Sequence, residues 1–139
     1  MESAQKRTLG IALLAIAIAF VAGYVPSSVG ARKAARENDR LELELSLARL
    51  HGTLGMTSYE ANRNNFATAA EWSTRFFEGL KSIQENPVLQ QDPARLAAVR
   101  RISLRRDEIT SELARPDPEV RTRLAELYAE FEQVAPSAR

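Results

Sequence analysis

Cysteine is absent from the chain, and histidine and tryptophan each occur once. Without a thiol there is no disulfide framework, no thiolate nucleophile, no Cys-ligated zinc or iron-sulfur cluster and no covalently attached haem. A single histidine, His51, excludes the paired Glu-x-x-His ligands of a di-iron bundle. Neither sign of charge prevails: 19 basic side chains face 18 acidic ones, for a formal net charge of +1. No strong field therefore draws the protein to nucleic acid, and no nucleic-acid partner is expected.

Motifs that carry chemistry are missing as well. There is no phosphate-cradling glycine loop and no His-Glu-x-x-His zinc motif. Glu42 and Glu44 lie two residues apart, about 200° around a helix, so they do not converge as an acid and base pair. His51 has Glu60 or a serine as a conceivable partner, but a lone helical histidine is more often a packing or surface residue. The expectation is a protein with no catalytic residues, no metal site and no cofactor.

What is present is a chain of 139 residues, 45% hydrophobic and 27% charged, which is the composition of a folded protein. From Thr8 to Ala31 no residue is charged, and Leu9 to Val25 contains only Leu, Ile, Val, Ala, Phe, Tyr and Gly. About 20 helical residues cross a hydrocarbon core. Thr8 to Ser27 meets that length, with Lys6 and Arg7 directly before it, Tyr24 as an interfacial aromatic and Pro26 as the expected helix end. The competing reading is a cleaved signal peptide, which would leave a secreted helical protein. It is disfavoured because Phe20 spoils cleavage after Ala22, and because the run is long for a signal core.

For orientation, Arg32, Lys33, Arg36 and Arg40 follow the span, whereas only Lys6, Arg7 and the amino terminus precede it. The upstream pair abuts the membrane, while the downstream bases follow a neutral spacer and are soon offset by Glu37 and Asp39. A single-pass inner or plasma membrane protein is expected, with its domain on the periplasmic, extracytoplasmic side. Within the span Ala12, Ala15, Ala19, Ala22 and Gly23 recur at helical spacing along one face. In lipid, association depends on close packing, so this small-residue stripe is the candidate contact for another transmembrane helix. No Asp, Glu, His, Lys or Arg interrupts the span, which leaves it without a proton relay or axial ligand.

Downstream the periodicity is helical throughout, and the fold class expected is all-α: one N-terminal transmembrane helix, then a four-helix antiparallel bundle or pair of helical hairpins. The tail and anchor occupy residues 1–30, the helical domain 31–134 and a flexible tail 135–139. The first helix after the span should run from about Ala31 to Arg63. At about 100° per residue Leu43, Leu47, Leu50, Leu54 and Ala61 share one side. Leu41, Leu45, Ala48, Met56 and Tyr59 share nearly the opposite side. Two apolar faces exceed what one bundle helix needs, so the second set is the candidate partner-facing surface, for a protein partner or a second copy.

Phe66, Ala69, Ala70, Phe76, Phe77, Leu80 and Ile83 mark a core-forming helix over about Asn65 to Ile83, with Trp72 at its edge. Asp92-Pro93 places an N-cap before a proline, opening a helix expected to continue to about Ala114 around Val99, Ile102, Ile109 and Leu113. Asp117-Pro118 repeats the device ahead of Val120, Leu124, Leu127, Tyr128, Phe131 and Val134.

The passage Glu60-Ala61-Asn62-Arg63-Asn64-Asn65-Phe66-Ala67-Thr68-Ala69 resembles the turn of a tetratricopeptide-type helical hairpin. There a short polar turn precedes an aromatic and then a small residue that lets two helices approach. The resemblance implies an antiparallel hairpin around Asn64 and Asn65, and no peptide-binding residues are carried over from it.

The function expected on these grounds is a non-catalytic structural or assembly accessory subunit of a multisubunit membrane complex. Energy-converting assemblies of the photosynthetic and respiratory kind use such single-span chains, an analogy of architecture alone. The alternative is a membrane-tethered peptide- or protein-binding module of chaperone or regulatory type.

Overall fold

The computed structural model describes the backbone of residues 2–135 and the side chains of residues 30–135. Among these the fold is all-helical, with six helices in order: α1 Glu2–Asn62, α2 Phe66–Ile83, α3 Pro87–Gln90, α4 Pro93–Ser103, α5 Arg106–Ala114 and α6 Val120–Val134. Contacts divide the chain into two units, Met1–Asn38 and Asp39–Arg139.

The upstream span and the first downstream helix were expected as separate helices; α1 is instead one element through Pro26. A proline removes one rung of the ladder and bends the axis, and a helix survives this where the flanking sequence continues to favour it. Among the described residues no helix is long and apolar enough to cross a membrane. The expected span, Thr8 to Ser27, and its stripe Ala12, Ala15, Ala19, Ala22 and Gly23 lie outside the residues whose side chains are described.

The second unit is a helical bundle around one core. From α1 it receives Leu43, Leu47, Leu50, Leu54 and Ala61, all 5% exposed or less. Spacings of three, four and seven bring these five to one side of the helix, where burial of each leucine is worth about 1.5–3 kcal/mol. The buried Thr57 shares that side and satisfies its hydroxyl internally, donating to the Thr53 carbonyl at 2.9 Å. From α2 come Ala69, Phe76, Phe77, Leu80 and Ile83, and from α6 Val120, Leu124, Leu127, Phe131 and Val134. Phe76 is the centre of an aromatic cluster, edge-to-face with Phe77 at 5.2 Å and with Phe131 at 5.3 Å between ring centroids.

Side-chain caps set the corners. Asn64 turns the chain between α1 and α2 in the left-handed region, at φ 64, a conformation that asparagine tolerates better than most residues. Asn65 precedes α2 and donates from Nδ2 to Glu60 Oε2 at 2.8 Å. Asn86 ends the α2 connection twice over: its Oδ1 accepts from the Val88 amide at 2.9 Å, and its Nδ2 donates to the Asp39 carbonyl at 3.1 Å. The short α3 that results, which the periodicity does not mark, buries Leu89 completely. Asp92 caps α4 by accepting from the Arg95 amide at 2.9 Å.

The helix expected from Pro93 to Ala114 is broken at Leu104 and Arg105 into α4 and α5. The Arg105 amide bonds the Ile102 carbonyl, three residues back, so the ladder tightens and the axis turns there. Leu104 is thrown outward, 84% exposed, while Arg105 is drawn against α6. The break serves packing: α4 lies mainly on α6, and α5 lies mainly on α2. No strong breaker marks it, since neither glycine nor proline occurs between Ala94 and Arg115.

Candidate functional site

The face of α1 opposite the core is uncovered. Leu41 is 57% exposed, Leu45 53%, Tyr59 52% and Met56 37%, and Ala48 is exposed between them. Helical geometry leaves little choice: once Leu43, Leu47, Leu50 and Leu54 are directed inward, residues half a turn away point outward. Gly52 and Gly55 lie along the same outer side, and a Cβ added at either meets nothing within 4 Å. At the end of the strip Arg63 covers Tyr59, with its guanidinium 5.5 Å from the ring centroid and Nη1 donating to the phenol oxygen at 3.3 Å.

Beside this strip a groove of about 840 Å³ runs between α1, the start of α4 and the end of α6, with Ala48, His51, Arg95 and Gln133 among its walls. His51 is paired with α6 and not with Glu60: its Nε2 bonds the Tyr128 hydroxyl and lies 3.2 Å from Glu132 Oε1. The imidazole meets the Tyr128 ring edge-on at 4.8 Å and Phe131 at 6.2 Å. Arg95 closes one end of the groove by donating from Nε to the Val134 carbonyl at 2.8 Å. His51, Arg95 and Asp92 are engaged by the fold itself, and the histidine acts as a clamp between α1 and α6. Among the described residues no group of three His, Asp or Glu side chains is arranged to hold a metal ion.

A second charged region joins α5 to α6. Arg105 pairs with Glu130 at 3.1 Å, Glu126 at 3.2 Å and Glu108 at 3.7 Å. Arg123 pairs with Glu108 at 2.6 Å, with Glu112 and with Glu119 at 3.8 Å. Glu108, then Glu112, raise the Arg123 guanidinium pKa above its ordinary value. In the sequence Arg105 belongs to a basic run with Arg100, Arg101 and Arg106, followed at once by Asp107 and Glu108. Arg105 is committed to glutamates, most of them on a helix distant in sequence.

The five residues picked out for a partner-facing side of α1 therefore fall on one exposed face. The His51–Tyr128 clamp, spanning 77 positions, had no signal in spacing or motif that could have found it. No protein-family model matches this chain, and no curated protein or solved structure matches it either.

Proposed function

We propose that this chain is a non-catalytic, single-span accessory subunit of a multisubunit membrane complex, with its helical bundle on the extracytoplasmic side. The observation that carries this reading is the exposed apolar face of α1, formed by Leu41, Leu45, Ala48, Met56 and Tyr59. Exposed leucines on a helix whose other side already fills a core are unexplained by the fold alone, and they are the usual mark of a contact surface. The uncharged run from Thr8 to Ala31 supplies the anchor, and Ala12, Ala15, Ala19, Ala22 and Gly23 supply a face for a neighbouring span.

Tethering does part of the work. A chain held in the bilayer meets membrane partners at a high effective concentration, so a modest apolar strip suffices for stable association. The engaged state of His51, Arg95, Arg105 and Arg123 is in keeping with a scaffold, since their polar groups are spent on holding helices together.

The groove beside His51 favours a second reading, a tethered module that grips an extended or helical peptide between α1 and α6. Purification from native membranes in mild detergent separates the two. A subunit brings down stoichiometric partners, and Ala15→Leu or Ala19→Leu loosens the assembly; a module releases its partners on dilution. Recovery of the mature chain in the soluble fraction, trimmed near Gly23, would overturn both.

A further inference from the structure

The outer face of α1 has a finer pattern than apolarity. Leu41, Leu45, Ala48, Gly52, Gly55 and Tyr59 follow one another at spacings of four, three, four, three and four. That is the heptad seam of a left-handed coiled coil, with Leu45, Gly52 and Tyr59 at one core position and Leu41, Ala48 and Gly55 at the other. We propose that this seam pairs with the same seam of a second copy of the chain, α1 against α1, parallel and in register. The proposal rests on the membrane-anchored reading above.

Charge selects the second copy. In a parallel pair, the residue just before one core position faces the residue five places later on the partner helix. Glu44 and Arg49 occupy those two places, so a symmetric pair makes the Glu44–Arg49 contact twice. Glu44 is 61% exposed, and among the described residues its ion pair is a long contact of 3.9 Å to Arg40. Arg49 is exposed and makes no ion pair among the described residues. The preceding positions of the same kind are Glu37 and Glu42, which repel beside Leu41, so the attractive stretch of the seam runs from Leu45 toward Tyr59. An antiparallel pair would oppose Glu44 to His51, but the imidazole is already held by Tyr128 and Glu132. Two chains anchored at their amino ends in one membrane also leave it in the same direction.

Size agrees with charge. Gly52 and Gly55 each cost about 1 kcal/mol in a helix interior relative to alanine, and nothing among the described residues fills the space a Cβ would take. Beside another helix that space permits close backbone approach, flanked by Leu41 and Leu45 on one side and Tyr59 on the other.

The absence of cysteine makes the test clean, because each variant carries one thiol. The full chain bearing Leu41→Cys, Tyr59→Cys or, as a control on α5, Thr110→Cys is oxidised in native membranes, and membrane retention is scored on the same samples. The expected result is a disulfide-linked species of twice the chain mass at positions 41 and 59 and none at 110. Glu44→Arg should abolish the linkage in the Leu41→Cys background, and adding Arg49→Glu should restore it. A photoreactive group on the same thiols identifies any other occupant. Monomer alone, a linkage to a different protein, or a Glu44→Arg variant that still links fully would overturn the paired seam. A chain found outside the membrane would instead overturn the anchored reading.

Discussion

A methyl group at Gly79 would lie 2.5 Å from Leu50 Cδ2, in the packed contact between α2 and α1. Within the monomer a side chain at 79 must therefore be accommodated by Leu50, whereas one at 52 or 55 displaces nothing among the described residues. Alanine at 52 or 55 removes a helix-interior glycine without a steric cost, so each substitution should stabilise the monomer by about 0.5–1 kcal/mol. Gly79→Ala has the same propensity gain but forces the buried Leu50 to move. The atom met is the free end of a leucine side chain, so its shift offsets part of the propensity gain and Gly79→Ala should stabilise less than the other two. Urea unfolding of the three variants at low protein concentration checks the order. The dimer linkage should weaken with Gly52→Ala while its monomer becomes more stable.

Phe76 and Phe131 are both completely buried, with their rings edge-to-face. Phe76→Ala and Phe131→Ala should each cost about 3–5 kcal/mol, a large share of the stability of a domain this size. The double variant should cost less than the sum by about 1 kcal/mol, because the ring contact is lost only once. Equal additivity in a thermal or urea unfolding cycle would mean that the two rings are merely neighbours.

Asn64 holds the turn before α2 at positive φ, and its Oδ1 accepts from Arg121 on α6. Asn64→Gly keeps the backbone relaxed and loses only that exposed contact, so it should be nearly neutral. Asn64→Val places a β-branched side chain in the left-handed region and should destabilise by about 1–2 kcal/mol. Chemical denaturation of Gly, Ala and Val variants should rank them in that order.

How much of this was legible beforehand follows from the range of each interaction. Helical periodicity is local, and it located the buried sets on α1, α2 and α6, from Leu43 through Val134, and the opposite, exposed set from Leu41 to Tyr59. Asp92 was recognisable as a cap because the bond it makes reaches only to Arg95. The bend at Leu104 was invisible, because it arises where α4 and α5 choose different neighbours rather than from a breaker residue. His51 was unreadable for the same reason: its partners, Tyr128 and Glu132, approach only after α6 closes on α1. The one-turn α3 was missed because Asn86 and Pro87 signal a stop as readily as a new start.

Arg105 and Arg123 tie α5 to α6 through different balances of burial. Arg105 is 17% exposed, but its glutamates 126 and 130 are 59% and 40% exposed and regain water when the cation is removed. Arg105→Leu should therefore cost only about 1 kcal/mol. Arg123 holds Glu112, whose side chain is 15% exposed, so Arg123→Met strands a carboxylate that solvent reaches poorly and should lower the thermal midpoint more than Arg105→Leu does. The raised Arg123 pKa fixes the sign of the pH effect. Its contribution is complete below the unfolded arginine value and is lost only as pH rises through the still higher folded one. Across neutral and mildly alkaline pH the gap between Arg123→Met and wild type should stay constant, whereas raising the salt concentration should narrow it through screening. Melting curves on a grid of pH and salt concentration read both effects, and a gap that closes between neutral and mildly alkaline pH would show that another group supplies the stabilisation.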